Sequence, residues 1–273
     1  METFFMWQPP ALYFYRRKKK RMTRIIMCGC NGKMGRVISQ IVKEDENAEI
    51  VAGVDISGEQ LDTYPVFPSI KDCNVEADAL IDFSAPAALD DILAVGMAKN
   101  LPLVLCTTGY NEEQLKKIEM ASKNLAILRS ANMSLGVNLL LGLVQAAAKV
   151  LSEANFDIEL VEKHHNQKVD APSGTALALA DAINEALNNE YEYKYDRSRE
   201  RVKREKKEIG ISAVRGGTIV GEHEVIFAGT DEVIEFKHTA YSKAIFGKGA
   251  VSAAKYLAGK GAGMYSMKDV INL

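Results

Sequence analysis

The chain is predicted to be an α/β protein of two units: a parallel sheet interleaved with helices, followed by an α+β unit. Three observations support this. Short apolar runs alternate with stretches of helical periodicity from Thr23 to Leu128. Beyond Phe156 the strands group together, and Ile209–Val214, Thr218–Phe227 and Glu232–Tyr241 follow one another without a helix between them. The first strand also runs straight into a glycine-bearing loop, Gly29–Gly35. Alternation is the pattern of a parallel sheet covered on both faces, and grouped strands are the pattern of an antiparallel or mixed sheet.

Taken in order, Met1–Tyr15 is rich in aromatic residues and proline and Arg16–Arg21 is an unbroken basic run, without the basic start and apolar core of a signal peptide. Residues 1–21 are read as an extension that is not native or is disordered, a translated purine-rich ribosome-binding site before a start at Met22. Arg24–Cys28 is strand-like, Val37, Ile38, Ile41 and Val42 recur at helical spacing, and Ile50–Val54 is a second strand ending in Asp55. This is the order of a Rossmann-like mononucleotide-binding unit. Backbone N–H groups of Gly29, Cys30, Asn31, Gly32, Lys33 and Met34 would approach a pyrophosphate, helped by the helix dipole. The GxxGxxG spacing is weaker than GxGxxG, but Asp55 lies at the separation expected of a ribose-binding acid.

Ala79–Phe83 is a buried strand, and Pro86 opens a helix through Lys99. Leu103–Cys106 is a strand ending in Thr107–Thr108–Gly109, Asn111–Lys123 a helix, and Leu125–Leu128 a strand ending near Ser130–Ala131–Asn132. Strand ends with small polar side chains are where open parallel sheets bind ligands. Ser134–Glu153 reads as one long helix with Leu135, Leu139, Leu143 and Ala147 on one face, and Phe156–Glu162 alternates as a strand. Gly174–Leu187 is a helix, Glu190–Lys207 a charged, solvated and mobile excursion, Ala244–Ala258 a last helix, and Lys268–Leu273 a tail returning to the first unit. The expected division is 22–132 with 244–273 for the dinucleotide, and 133–243 for substrate binding and oligomerisation.

Hydrophobic content of 47%, charged content of 26% and a formal net charge of −2 give no support for a nucleic-acid or membrane-surface partner. There is no uninterrupted run of eighteen apolar residues. Cys28 and Cys30 are too close for an ordinary disulfide, and no second pair completes a zinc set. Reduced cysteines and a cytoplasmic location are expected, with no metal.

The most informative stretch is Val161–Thr175. Adjacent histidines, His164 and His165, are followed by Lys168 and then by a Pro172-led turn into a helix. A cation, a group titrating near neutrality and the free N–H groups of a helix start suit the binding and protonation of a small dianion. Zinc is disfavoured because no third ligand has suitable spacing. His223 and His238 lie within strand patterns and are expected to be structural.

The stretch Glu162–Ala176 resembles the signature of the 4-hydroxy-tetrahydrodipicolinate (dihydrodipicolinate) reductase family. Gly29–Gly35, Cys106–Gly109, Ser130–Met133 and Gly221–His223 fall where that family has counterparts, so the resemblance covers Thr23 to Leu273. It implies NADH- or NADPH-dependent reduction of a cyclic unsaturated dicarboxylate with loss of water, in diaminopimelate and lysine synthesis, by a homotetramer. It further implies an acid–base role for His164, a proton-donor role for Lys168, and substrate binding by His165, Gly174 and Thr175. Cofactor contact is expected at Cys106, Thr107, Thr108, Ser130, Ala131, Asn132 and Met133 as well as the glycine loop and Asp55. Many members follow the ribose-binding acid with arginine; here Ile56 follows Asp55, which favours NADH, with Lys33 able to rescue NADPH in part. A different two-domain dehydrogenase and a catalytically silent dinucleotide-binding regulator remain as alternatives at this point.

Overall fold

The computed structural model describes residues 22–195, 197–198 and 201–272, so the proposed extension 1–21 lies outside the described residues. The first sheet is wholly parallel. Its strands are β1 (Thr23–Cys28), β2 (Ala48–Val54), β3 (Val66–Phe67), β4 (Ala79–Asp82), β5 (Leu103–Leu105), β6 (Ala126–Arg129) and, from the far end of the chain, β12 (Gly263–Tyr265). They lie in the order β12-β6-β5-β4-β1-β2-β3. The order reverses direction between β1 and β4, and a crevice opens at the carboxyl ends of strands at such a switch point.

Alternate residues of β1 face opposite cores. Ile25 and Met27 pack with Ile38 and Val42 of α1 (Lys33–Lys43) and with Ala250, Val251 and Ala254 of α6 (Ala244–Leu257). Ile26 and Cys28 pack with Ile92 and Leu93 of α2 (Leu89–Lys99) and Ile118 of α3 (Glu112–Ser122). A short 3₁₀ turn, Pro86–Ala88, precedes α2 where sequence alone placed the helix start. Lys255 pairs with Asp45 and ties α6 to the end of α1.

The second sheet is mixed, in the order β11-β10-β7-β9-β8. Here β7 is Asp157–His164, β8 Glu192–Lys194, β9 Glu208–Arg215, β10 Gly221–Ala228 and β11 Val233–Ala240. On β7 the alternating pattern buries Ile158, Leu160, Glu162 and His164 against α4 (Leu135–Glu153) and α5 (Gly174–Ala186) or their loops.

Three details differ from the sequence reading. The Glu190–Lys207 stretch contains β8, and Arg204 anchors it by hydrogen bonds to Asp157, Glu159 and the carbonyls of Ile158 and Glu208, so its described part is tied down. The α4 stripe of Leu135, Leu139 and Leu143 is 36–45% exposed, and the buried stripe is Val137, Leu140, Val144 and Ala148. By length and composition α4 is apolar enough to cross a membrane, and here that buried stripe packs in the protein. Finally, the C-terminal return includes both β12 and a further helix, α7 (Met267–Ile271).

Candidate active site

The glycine loop sits between the end of β1 and α1. Gly29 has a positive φ of 76°, and a Cβ there would lie 2.6 Å from the Phe83 carbonyl oxygen; a Cβ at Gly35 would lie 2.2 Å from the Gly29 carbonyl oxygen. The helix begins without a side-chain cap or an acidic residue in its first turn, whereas Asn111, Ser134 and Ser173 cap their helices. An uncapped start leaves its first N–H groups and the positive end of the dipole for an anion. Cys28, Gly29, Gly32, Asp55, Ile56, Ser84 and Ala85 line a cleft of about 490 Å³ there. Asp55 accepts hydrogen bonds from Asn31 N at 3.2 Å and Ser57 Oγ at 3.0 Å, and Ile56 stands 95% exposed beside it.

The other predicted dinucleotide residues divide. Lys33 is exposed and Met34 half-buried at the start of α1. Cys30 points inward, its Sγ against Gly53, burial pushes its thiol up to about 11, and its N–H donates to the Val54 carbonyl, so it shapes the loop from within. Met133 packs in the core, its carbonyl against Gly249. Cys106 is half-buried, with its thiol pushed up by burial, Thr108 is exposed, and Thr107 is buried with an Oγ1 that has no hydrogen-bond partner. An orphaned buried hydroxyl and an uncapped helix start beside a cleft both fit a dinucleotide. Sequence reasoning missed Asp82. It is fully buried at the end of β4 and accepts from Ser84 N at 3.0 Å and Tyr110 Oη at 3.1 Å, pinning the loop that carries Thr107 and Thr108.

A second cavity, of about 320 Å³, brings together His164, His165, Lys168, Ser173, Gly174, Thr175, Gly221, His223 and His238 with Ala131 and Asn132 from the end of β6. All four histidines of the sequence line it. Asn132 Nδ2 donates to Thr175 Oγ1 at 3.1 Å, directly linking a predicted cofactor residue to a predicted substrate residue. Ser130 lies in the adjoining pocket with Asn132, Gly174 and Thr175. Gly221 makes room for the His164 ring, since a Cβ there would lie 3.1 Å from Nε2. Lys168 Nζ lies 2.8 Å from Asp170 Oδ1 and holds that carboxyl below its ordinary value.

His223 pairs directly opposite His238 across β10 and β11, and its ring meets the edge of His164 at 5.1 Å between centroids. Its Nε2 is 2.9 Å from Ser173 Oγ, its Nδ1 is buried without a partner, and burial, with His164 next, pushes it down to about 4. It is therefore neutral near pH 7. Period-2 spacing on β10 was the available signal for its place in the cavity, but only the pairing of β10 with β7 brings it to His164. Among the described residues no group of three or more His, Cys, Asp or Glu is arranged to hold a metal ion.

Comparison with known proteins gives the family. The family profile "Dihydrodipicolinate reductase, N-terminus" matches residues 23–133, and "Dihydrodipicolinate reductase, C-terminus" matches residues 136–271. The 4-hydroxy-tetrahydrodipicolinate reductase of Clostridium novyi is 52% identical over 250 residues, covering 92% of this chain and 98% of that protein. The enzyme of the same name from Caldanaerobacter subterraneus is 53% identical with the same coverage. A dipicolinate-bound dihydrodipicolinate reductase from Paenisporosarcina sp. TG-14 superposes with a TM-score of 0.75 at 24% identity, over 92% of this chain and 99% of that one, which shows the shared fold. The chain belongs to the dihydrodipicolinate reductase family, whose members are dinucleotide-binding oxidoreductases.

Proposed function

We propose that the protein reduces 4-hydroxy-tetrahydrodipicolinate to tetrahydrodipicolinate with loss of water, the reductive step toward diaminopimelate and lysine. The observation that carries this reading is the cavity in which His164, Lys168, Gly174 and Thr175 converge with Asn132 from the dinucleotide side. We read 22–132 with 244–273 as the dinucleotide-binding unit and 133–243 as the substrate unit, assembling as a cytoplasmic homotetramer. A reduced nicotinamide supplies the hydride when bound, and every other task falls to the chain.

The uncapped N–H groups of Lys33 and Met34 at the start of α1 hold the pyrophosphate. Gly29, Cys30, Asn31 and Gly32, whose own N–H groups already donate to Val54, Asp55 and Gly29, shape the loop that admits it, and Asp55 holds the adenosine ribose. Thr107, Thr108, Ser130, Ala131 and Asn132 line the path toward the substrate. Thr175, Gly174 and His165 bind the carboxylates, with the helix start adding its dipole. A carboxylate entering beside Lys168 competes with Asp170 for the ammonium group. Lys168 then gives its proton to the carbon or nitrogen that becomes electron-rich on reduction, and His164 Nε2 exchanges protons with it. Such general acid assistance contributes about 10²–10⁴-fold.

NADH is the preferred cofactor on this reading, because Asp55 repels a 2′-phosphate and Ile56 supplies no opposing charge. The test is a coupled assay with enzymatically generated substrate, following oxidation of NADH and of NADPH. Substrate-dependent oxidation with a larger kcat/KM for NADH is expected. Absence of turnover with either cofactor would sink the activity, and a clear NADPH preference would sink the cofactor assignment alone.

A further inference from the structure

Glu162 has no solvent exposure, yet its carboxylate is the most heavily bonded group beside the cavity. It accepts from His164 Nδ1 at 2.6 Å, from Arg215 Nη1 and Nη2 at 2.8 and 2.6 Å, and from Ser173 N at 3.0 Å. The fold explains the convergence. Glu162 and His164 are two apart on β7 and therefore share a face, and parallel pairing with β9 sets Arg215 opposite His164. Ser173 is the cap of α5. Arg215 Nη2 also donates to the Asp170 carbonyl at 2.6 Å, and the Asp170 side chain in turn holds Lys168.

A carboxylate locked by a bidentate guanidinium can only accept, so the hydrogen between Glu162 and His164 resides on Nδ1. We propose that Glu162 is a positioning residue for the reaction: it fixes His164 in the Nδ1–H tautomer with Nε2 toward the cavity, and through Arg215 and Ser173 N it holds the Asp170–Ser173 turn in register with that ring. Removing Arg215 leaves the fully buried Glu162 carboxylate without its charged partner, whereas Arg215 is part-exposed and keeps the Val214 and Asp170 carbonyls. The inference rests on the proton-handling role given to His164 above.

The test uses the full-length enzyme labelled with ¹⁵N-histidine; the sequence has four histidines, and the His164 signal is the one missing in His164→Gln. In the neutral imidazole the wild-type protein is expected to show N–H on Nδ1 of His164. Glu162→Gln is expected to redistribute that tautomer, lower kcat by about 10²-fold and raise KM for the dicarboxylate, with dinucleotide affinity measured by fluorescence unchanged. Arg215→Lys, which keeps the charge but breaks the fork, is expected to shift the same signals in the same direction, and it replaces Glu162→Gln if that variant does not fold. An Nε2–H tautomer in the wild-type protein overturns the proposal, as does either folded variant with wild-type tautomer, kcat and KM. If His164→Gln keeps full turnover, the role assigned to His164 fails instead, and the tautomer result still decides whether Glu162 orients it.

Discussion

On the proposed reading, the two halves of the crevice recognise their ligands by different means. On the first sheet the proposed contact surface is mostly backbone: a tight loop in which a Cβ at Gly29 or Gly35 would strike backbone, and a helix start that no side chain caps. On the second it is mostly side chains, with His164, His223, Lys168 and Ser173 each held by a named partner. A pyrophosphate can be gripped by shape and N–H groups alone, whereas delivering a proton to one atom requires titratable groups at fixed positions. Substitutions should therefore fail differently on the two sides, through geometry on the first and through chemistry on the second.

The largest effect is expected from Lys168→Ala. It should lower kcat by about 10²–10⁴-fold while leaving dinucleotide affinity intact. Single-turnover kinetics beside a binding titration checks this, and an equal loss of cofactor binding would erase the distinction between the two sides.

Next comes the acid response of the second side. His223 is held near 4, against an ordinary value of 6.5, so the unfolded chain takes up a proton on acidification before the folded one does. Stability from this group is complete above pH 6.5 and is lost as pH falls toward 4, by about 3 kcal/mol at the lower end. Urea unfolding across that window should show a shallower decline in His223→Gln than in the wild-type protein; parallel declines would refute the assignment.

On the backbone side, Gly29→Ala meets both a positive φ and the Phe83 carbonyl. A loss of about 2 kcal/mol in stability is expected, with weakened dinucleotide binding and no change in the pH dependence of turnover. Thermal unfolding with and without NADH measures both. The smallest effect belongs to Ile56→Arg, which adds a cation beside Asp55 at an exposed position. It should move kcat/KM toward NADPH by about tenfold, and an unchanged ratio would show that the 2′ position is read elsewhere.

This contrast also governs what the sequence made legible. The βαβ order, the glycine loop, Asp55 and the His164–Thr175 run are local in the chain, and each sits where local pattern placed it. The Glu162–Arg215 pair spans 53 positions and exists only through the β7–β9 register, which no local period encodes. The same holds for β12 and for the His164–His223 contact. Sequence alone marked a leucine stripe on α4 as one face, but periodicity shows only that a face exists, and the packed stripe proved to be the one through Val137 and Val144. Arg204 was hidden in a charged stretch that composition assigns to solvent, because its partners Asp157 and Glu159 lie far upstream.

The return of α6 and β12 to the first sheet bears on how the polypeptide is made. A chain leaving the ribosome presents β1 to β6 first, yet one face of that sheet waits for Ala250, Val251 and Ala254, and the edge of β6 waits for Gly263–Tyr265. The mixed sheet, with α4 and α5, is complete by Ala240. The half synthesised second can therefore close its core before the half synthesised first, and the nascent dinucleotide side must keep an apolar face and an open strand edge until translation is nearly finished.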